Sequence, residues 1–390
     1  MAAADLGSGR GATLAYSRRG WGSGDTRGVS SVNDTLPATQ ATLAASPMTT
    51  EVSVRPPTRF EHLAKLGRGG MAVVDLARDV ELARDVAVKK SLGMPGREDT
   101  ALFLREARIT ASLEHPNIVP VHDIRFAEDG TPELVMKAVE GRSLADIIDA
   151  LRRRDPEAVR EYTLERRLEV IVGVLRALAF AHRKGVLHRD IKPDNIMVGQ
   201  YGEVLLLDWG IARAEGEPDV SAEGNLVGTP AYMSPEQARG EALDARSDLF
   251  SVAVVLHELL HLRHYLDPEL TDPMQIAVFV AEQGGPWSLP QWHRPGIEPM
   301  PPLELYHFLR RAMAHDRDQR FADTDEMLTK LLRILDGHIS VQCHITFVKA
   351  SVRKAGRLVD RYPWVSFGAF ALGIALMGTG VVSVARSLIG

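Results

Sequence analysis

A chain of 390 residues with 45% hydrophobic content can hold one large domain or two ordinary ones, and it is apolar enough for a full-sized core. Its net charge of −5 is uneven, with +1 over residues 1–57, +5 over residues 338–390 and −11 over the body between them; so acidic a body argues against nucleic acid as the main partner. The single cysteine, Cys343, excludes an intrachain disulfide, fits a reducing compartment and reads as a small apolar residue.

Residues 1–57 carry no apolar core of a secretory signal. They are rich in Gly, Ser, Ala and Thr without apolar periodicity, which reads as a disordered leader, and Met48 is an alternative start. Order is expected from Arg59-Phe60. As far as Met136 the segments alternate as short strands, with one helical stretch at Ala101–Leu113 that carries Glu106. This β-rich region contains a Gly-rich turn, Leu66-Gly67-Arg68-Gly69-Gly70-Met71-Ala72-Val73-Val74, and the strand Val86-Ala87-Val88-Lys89-Lys90. Strand alternation sends Lys89 and Lys90 to opposite faces.

From Ser143 onward helices are expected to dominate. Arg152, Arg153, Arg154 and Asp155, just before Pro156, read as a solvated helix end. Leu168, Ile171, Val172, Leu175, Leu178 and Ala179 recur at helical spacing. Next comes Val186-Leu187-His188-Arg189-Asp190-Ile191-Lys192-Pro193-Asp194-Asn195, then Asp208-Trp209-Gly210 and Gly228-Thr229-Pro230-Ala231-Tyr232-Met233-Ser234-Pro235-Glu236. Leu249–Leu260 is apolar nearly all round, which predicts a helix buried on every side, with Asp248 placed to cap its start. Pro286–Pro302 reads as a loop, and order is expected to end near Gly337. No internal repeat is visible.

This series of motifs resembles the eukaryotic-like protein kinases, in particular the bacterial membrane-anchored Ser/Thr kinases. A catalytic loop of that family sets an aspartate five positions before an asparagine, with a lysine two positions after the aspartate. The resemblance implies an α+β fold of two lobes, the first small and β-rich, the second larger and helical, over residues 58–337. It implies Asp190 as general base or hydroxyl-orienting group, Lys192 as the cation near the moving phosphoryl group, and Asn195 and Asp208 as magnesium ligands. Gly67 and Gly69 would bring main-chain N–H groups to phosphate oxygens, with Ala72 standing where the family's third glycine usually lies. Lys89 would hold the α- and β-phosphates, with Glu106 as its partner. Adenine would lie among Val74, Ala87 and Met197, bonded to the main chain near Lys137–Val139, with Met136 guarding the back of the pocket. Trp209 replaces the family's usual Phe and is expected to fill the same slot. Glu236 is expected to pair with Arg320, and Asp248 to anchor the catalytic loop. ATP with Mg2+, or Mn2+, is the implied cofactor set.

Lys192 and Thr229 match the Ser/Thr pattern of the family, so protein Ser/Thr hydroxyls are the expected acceptors. In that family an arginine at the place of Arg189 usually meets a phosphate on the activation loop, where Ser221 is the candidate for phosphorylation in trans between self-associated chains; the alternative is that Glu215, Glu217, Asp219 or Glu223 already supplies the negative partner and the kinase is constitutively active. After a basic segment, 338–361, Tyr362–Ala385 runs without a charge, longer than the ~20 residues that span hydrocarbon. Trp364 at its edge and Arg353, Lys354, Arg357 and Arg361 before it predict a transmembrane helix with the kinase domain on the cytoplasmic face of a bacterial membrane. With residues 386–390 as a short tail, no extracellular sensor is expected in this chain. The rival reading is a pseudokinase, a membrane scaffold without catalysis, but Lys89, Asp190, Asn195 and Asp208 are all retained. The intact 229–236 segment disfavours a kinase of small molecules.

Overall fold

The computed structural model describes residues 59–69, 72–92, 98–209, 228–283 and 301–337, together with the backbone of two short strands at 15–16 and 213–214. The chain divides into two compact units, residues 1–147 with 193–210, and residues 148–192 with 211–390.

In the first unit the backbone of Ala15–Tyr16 forms strand β1. An antiparallel sheet is then built from β2 (Phe60–Arg68), β3 (Ala72–Asp79), β4 (Arg84–Ser91), β5 (Val121–Phe126) and β6 (Pro132–Lys137), in the order β2-β3-β4-β6-β5. Both faces of β4 are covered at its centre, so Val86-Ala87-Val88 is a continuous apolar run and not an alternation. Ala87 joins a cluster with Val74, Phe103, Met136 and Leu207, whereas Val86 and Val88 pack with Phe60, Ala77 and Val135. Helix α1 (Glu98–Ser112) supplies Phe103 and Ala107 to the first cluster. It begins three residues before the stretch expected from sequence. A second sheet runs β1-β7-β9-β10, with β7 at Val139–Ser143, β9 at Ile196–Gly199 and β10 at Val204–Leu206.

Among its described residues the second unit is helical apart from β8 (Val186–Leu187), which pairs antiparallel with the backbone of β11 (Arg213–Ala214). Its helices are the end of α2 (Leu144–Arg152), then α3 (Pro156–Glu161), α4 (Leu164–Arg183), α5 (Pro235–Ala238), α6 (Ala245–His261), α7 (Pro273–Gln283), α8 (Leu303–Ala312) and α9 (Thr324–Leu335). Polar caps fix where most of them start. Asp155, Thr163, Ser234, Asp244 and Asp323 each accept a hydrogen bond from a main-chain N–H of the first turn, satisfying donors that the helix itself cannot. Helix α6 is buried from Ser247 to His261, as its all-round apolar pattern predicts. His182 of α4 ties α9 and α6 together, with Nδ1 at 2.6 Å from Thr324 Oγ1 and Nε2 at 2.8 Å from Asp248 Oδ2.

Two sequence expectations need correction. Asp248 does not cap α6: the helix begins four residues earlier than expected and Asp244 is its cap, which leaves Asp248 in the first turn with its carboxylate turned elsewhere. Arg152 is not merely solvated, because its guanidinium reaches buried Glu258 at 2.5 Å and the Leu262 carbonyl at 2.7 Å; Arg153 and Arg154 are exposed. Ahead of Arg59, the backbone of β1 pairs in parallel with β7. Among the described residues no helix is long and apolar enough to cross a membrane. The span expected at 362–385, the juxtamembrane segment, Cys343, Ser221 and most of the Pro286–Pro302 loop lie outside them.

Candidate active site

The residues singled out from sequence fall into two sets, one within each unit. In the first unit the β2–β3 hairpin pairs Gly67 with Val74, and the Gly69 N–H donates to the Ala72 carbonyl at 2.8 Å, closing a tight turn. Gly70 and Met71 lie outside the described residues. On β4, alternation separates the two lysines as expected. Lys89 donates to Glu106 of α1 and, at 2.9 Å, to Asp208 Oδ1, while Lys90 faces Asp75 at 3.1 Å and Glu133 at 3.6 Å.

Burial alone would strip the charge from Lys89, but the carboxylates of Asp208 and Glu106 outweigh it and hold the ammonium above its ordinary pKa. Burial also pushes the Glu106 carboxyl up, to about 7, against the pull of Lys89 and helped by the neighbouring Asp208 charge. Two carboxylates therefore share one ammonium, an arrangement that a further cation at Asp208 would relieve. Asp208 has φ +58, a left-handed conformation that costs a non-glycine residue roughly 1 kcal/mol or more and persists only where surroundings impose it. The next side chain, Trp209, is fully buried, so the larger aromatic is accommodated.

Asn195 is buried and its carbonyl accepts the Leu207 N–H at 2.8 Å, which brings it beside the strand end that carries Asp208. Amide and carboxylate oxygens are hard donors of the kind Mg2+ takes together with phosphate oxygens, so this pair fits a magnesium-nucleotide. Among the described residues no group of three or more His, Cys, Asp or Glu side chains is arranged to hold a metal. Val74, Ala87, Met136, Val139 and Met197 belong to one apolar cluster. The Lys137 N–H is used by the Pro120 carbonyl at 3.0 Å, and its Nζ faces Glu203 at 3.9 Å.

The second unit assembles the catalytic loop around Asp190. Asp190 Oδ1 accepts both the Thr229 N–H at 3.1 Å and the Thr229 hydroxyl at 2.9 Å, while Oδ2 accepts Lys192 Nζ at 2.6 Å. Lys192 Nζ also donates to Thr229 Oγ1 at 2.9 Å, so aspartate, lysine and threonine form a closed triangle. Asp248 supports the loop from beneath, its two oxygens accepting the His188 and Arg189 N–H groups, each at 2.8 Å. Burial would raise the pKa of Asp248. The hydrogen bond and charge of His182, the charge of His188 and the bond from Arg189 outweigh it and keep the carboxylate ionised. Arg189 sits at φ +71, and its carbonyl accepts Gln237 Nε2 at 2.8 Å. At Gly228, φ is +115, and a Cβ would lie 3.1 Å from the Met233 methyl and 3.4 Å from the Arg189 carbonyl; only glycine fits that bend beside the loop.

The expected pair of Glu236 and Arg320 is present, joined by two bonds of 2.7 and 2.8 Å with both side chains buried. Sequence reasoning missed Gln237 and the trio of Tyr232, Glu258 and Arg152. The Tyr232 hydroxyl donates to Glu258 at 2.6 Å and Arg152 bonds the other oxygen of the same carboxylate. His257-Glu258-Leu259-Leu260-His261 has the spacing of a helical zinc site. Its glutamate is spent on these two partners, and His261 Nδ1 lies 3.0 Å from the His257 carbonyl of its own helix.

Comparison with known proteins agrees with this geometry. Residues 60–331 match the family model described as protein kinase domain. A probable serine/threonine-protein kinase of Streptomyces coelicolor is 38% identical over 288 residues, which is 72% of this chain and 40% of the relative. The serine/threonine-protein kinase PknB of Bifidobacterium longum, also named as probable, is 38% identical over 298 residues, 73% of this chain and 40% of the relative. PknB of Mycobacterium tuberculosis is 36% identical over 286 residues, 72% and 43% respectively. The chain thus spans about two fifths of the length of the curated relatives it matches. With Lys89 tied to Glu106, Asp208 one strand-end from Asn195, and Asp190 locked to Lys192 and Thr229, the chain belongs to the protein kinase domain family.

Proposed function

We propose that the protein is a serine/threonine protein kinase that transfers the γ-phosphoryl group of ATP to hydroxyls of protein substrates. The observation that carries this reading is the triangle of Asp190, Lys192 and Thr229. A carboxylate held on both oxygens by a cation and a hydroxyl is positioned, not mobile, and a positioned carboxylate can orient an incoming Ser or Thr hydroxyl and take its proton. The relatives' own names, serine/threonine-protein kinases, support the acceptor class.

In this reading Lys89, kept charged by Glu106 and Asp208, binds the α- and β-phosphates. Gly67 and Gly69 leave room for phosphate oxygens to approach main-chain N–H groups. Val74, Ala87 and Met197 enclose the adenine base, which bonds the main chain at Lys137–Val139. Asp208 and Asn195 would hold Mg2+, which supplies charge neutralisation for the phosphate oxygens. Lys192 faces the charge that develops on the transferred group, and Asp190 accepts the proton released by the acceptor hydroxyl. Purified protein given labelled ATP, Mg2+ or Mn2+ and a generic protein acceptor is expected to yield phosphoserine or phosphothreonine on phosphoamino-acid analysis. Nucleotide binding without any transfer would leave only a scaffold.

The reading extends to a membrane tether at 362–385, supported by the uncharged run and its basic N-terminal flank, with the kinase domain on the cytoplasmic side. Ser221, a candidate for phosphorylation in trans, would then meet its partner chain on that surface. The full chain is expected to sediment with membranes and to need detergent for extraction, whereas a chain ending at Gly337 stays in the supernatant and remains active. A full chain that is soluble without detergent rules out the tether.

A further inference from the structure

The leader contributes one strand to the first unit. β1 pairs in parallel with β7, Ala15 opposite Val139 and Tyr16 opposite Glu140. The other edge of β7 is taken by β9 and the turn that follows it, where the Gln200 N–H donates to the Glu140 carbonyl at 3.0 Å. In a strand the N–H and C=O of one residue point to the same edge, and those of successive residues point to opposite edges. Since Glu140 faces β9, the main-chain N–H and C=O of Val139 face β1. These are groups to which the proposed function assigns the adenine base. A strand offers such an edge the same complement that adenine offers, one acceptor for the N–H and one donor for the C=O.

We propose that the leader segment around Ala15–Tyr16 is an intrachain competitor of the nucleotide, adding a strand to the outer edge of β7 and closing the Val139 main chain to the adenine base. The proposal rests on the kinase reading for the identity of the competing ligand, and on the pairing of β1 for the competition itself. Because the strand is part of the same chain, its hold does not depend on protein concentration. Recognition runs through the backbone, as in other cases where an extended segment is added to a sheet edge. Composition of the leader therefore gives no sign of it. Nucleotide must displace β1 in order to bind, so the leader sets the ATP concentration at which the kinase becomes active.

The test uses the full chain with Ala15→Pro and Tyr16→Pro together, since proline has no N–H to give to a ladder. A non-hydrolysable ATP analogue with Mg2+ is titrated into this variant, into the wild type and into a Thr39→Pro control in the same leader. Only the Tyr16 N–H points to β7, so loss of that one main-chain hydrogen bond predicts an affinity gain of about 2- to 12-fold in the double variant and none in the control. Hydrogen exchange of the wild type is expected to show a protected Tyr16 amide without nucleotide, with that protection lost at saturating analogue. Equal affinities in variant and wild type, where both bind, overturn the competition and leave the kinase reading standing. Failure of all three chains to bind nucleotide overturns the kinase reading and the competition together. An unprotected Tyr16 amide in the nucleotide-free wild type overturns the strand itself.

Discussion

Replacing Asp190 by Asn is expected to cut phosphoryl transfer to a protein acceptor by at least about 100-fold, the lower bound for a positioned general base. The chain should still fold and still bind nucleotide. The substitution is nearly isosteric, and Asp190 lies on a loop whose support comes from Asp248 through the His188 and Arg189 N–H groups. An amide keeps one acceptor oxygen for Thr229 or Lys192 but has little basicity, so the acceptor hydroxyl loses the group that orients it and takes its proton. Lys89→Met should abolish transfer by a different route. It removes the cation shared by Glu106 and Asp208, leaving two carboxylates facing each other and no charge for the phosphates. Radiolabel incorporation, measured beside analogue binding, separates the two: Asp190→Asn loses transfer alone, Lys89→Met loses both. Transfer at the wild-type rate by the Asp190→Asn chain would end the kinase assignment of this loop.

A second large effect is expected at Arg320. Its guanidinium grips both oxygens of Glu236 and also donates to the carbonyls of Ala314 at 2.8 Å, and of Arg246 and His315, both at 3.2 Å. Arg320→Met leaves the Glu236 carboxylate buried without a cation, held by the Ser247 hydroxyl at 2.7 Å and by its own main-chain N–H. Removal of one partner of a buried pair costs about 3–5 kcal/mol, which for a domain of this size lowers Tm by roughly 6–15 °C. Arg320→Lys should recover little, because an ammonium cannot span both oxygens and three carbonyls in one plane. Acid should act in the same direction. Burial would raise the Glu236 pKa, but Arg320 and Ser247 outweigh it and bring it down from 4.5 to about 2. A carboxyl with a depressed folded pKa stabilises fully above its unfolded value and loses that contribution as pH falls towards the folded one. The contribution of about 3 kcal/mol is therefore lost between pH 4.5 and 2. Thermal melts across that window should fall more steeply for the wild type than for Glu236→Gln. An unchanged Tm in Arg320→Met would show that the pair carries no net stability.

The closeness of Asp190 and Lys192 was legible in the sequence because two positions of chain separate them and a single loop presents both. The opposite faces of Lys89 and Lys90 followed from strand period alone, and the burial of α6 from the apolar run at 249–260. Other features were legible only as a family resemblance. Glu236 meets Arg320 across 84 positions, a contact expected only because the surrounding motifs resembled kinases, and Lys89 meets Asp208 across 119, a contact not expected at all; no local spacing encodes either.

What the sequence by itself determined is thus the identity and order of the chemical groups: which lysine, which aspartates, which turn of glycines, and on which kind of element each sits. Those properties are local, set by periodicity, turn chemistry and spacing over a few residues. Only the tertiary structure decided which of several nearby groups takes which partner. Asp244 and Asp248 both precede the apolar helix, and either could cap it. The cap went to Asp244 because the loop N–H groups of His188 and Arg189, far away in sequence, claimed Asp248. Arg152 looked like its solvated neighbours until Glu258, 106 positions away, supplied a buried carboxylate. β1 is the extreme case: strand pairing engages the main chain, which every residue carries, and the open edge of β7 exists only once β9 has taken the other one.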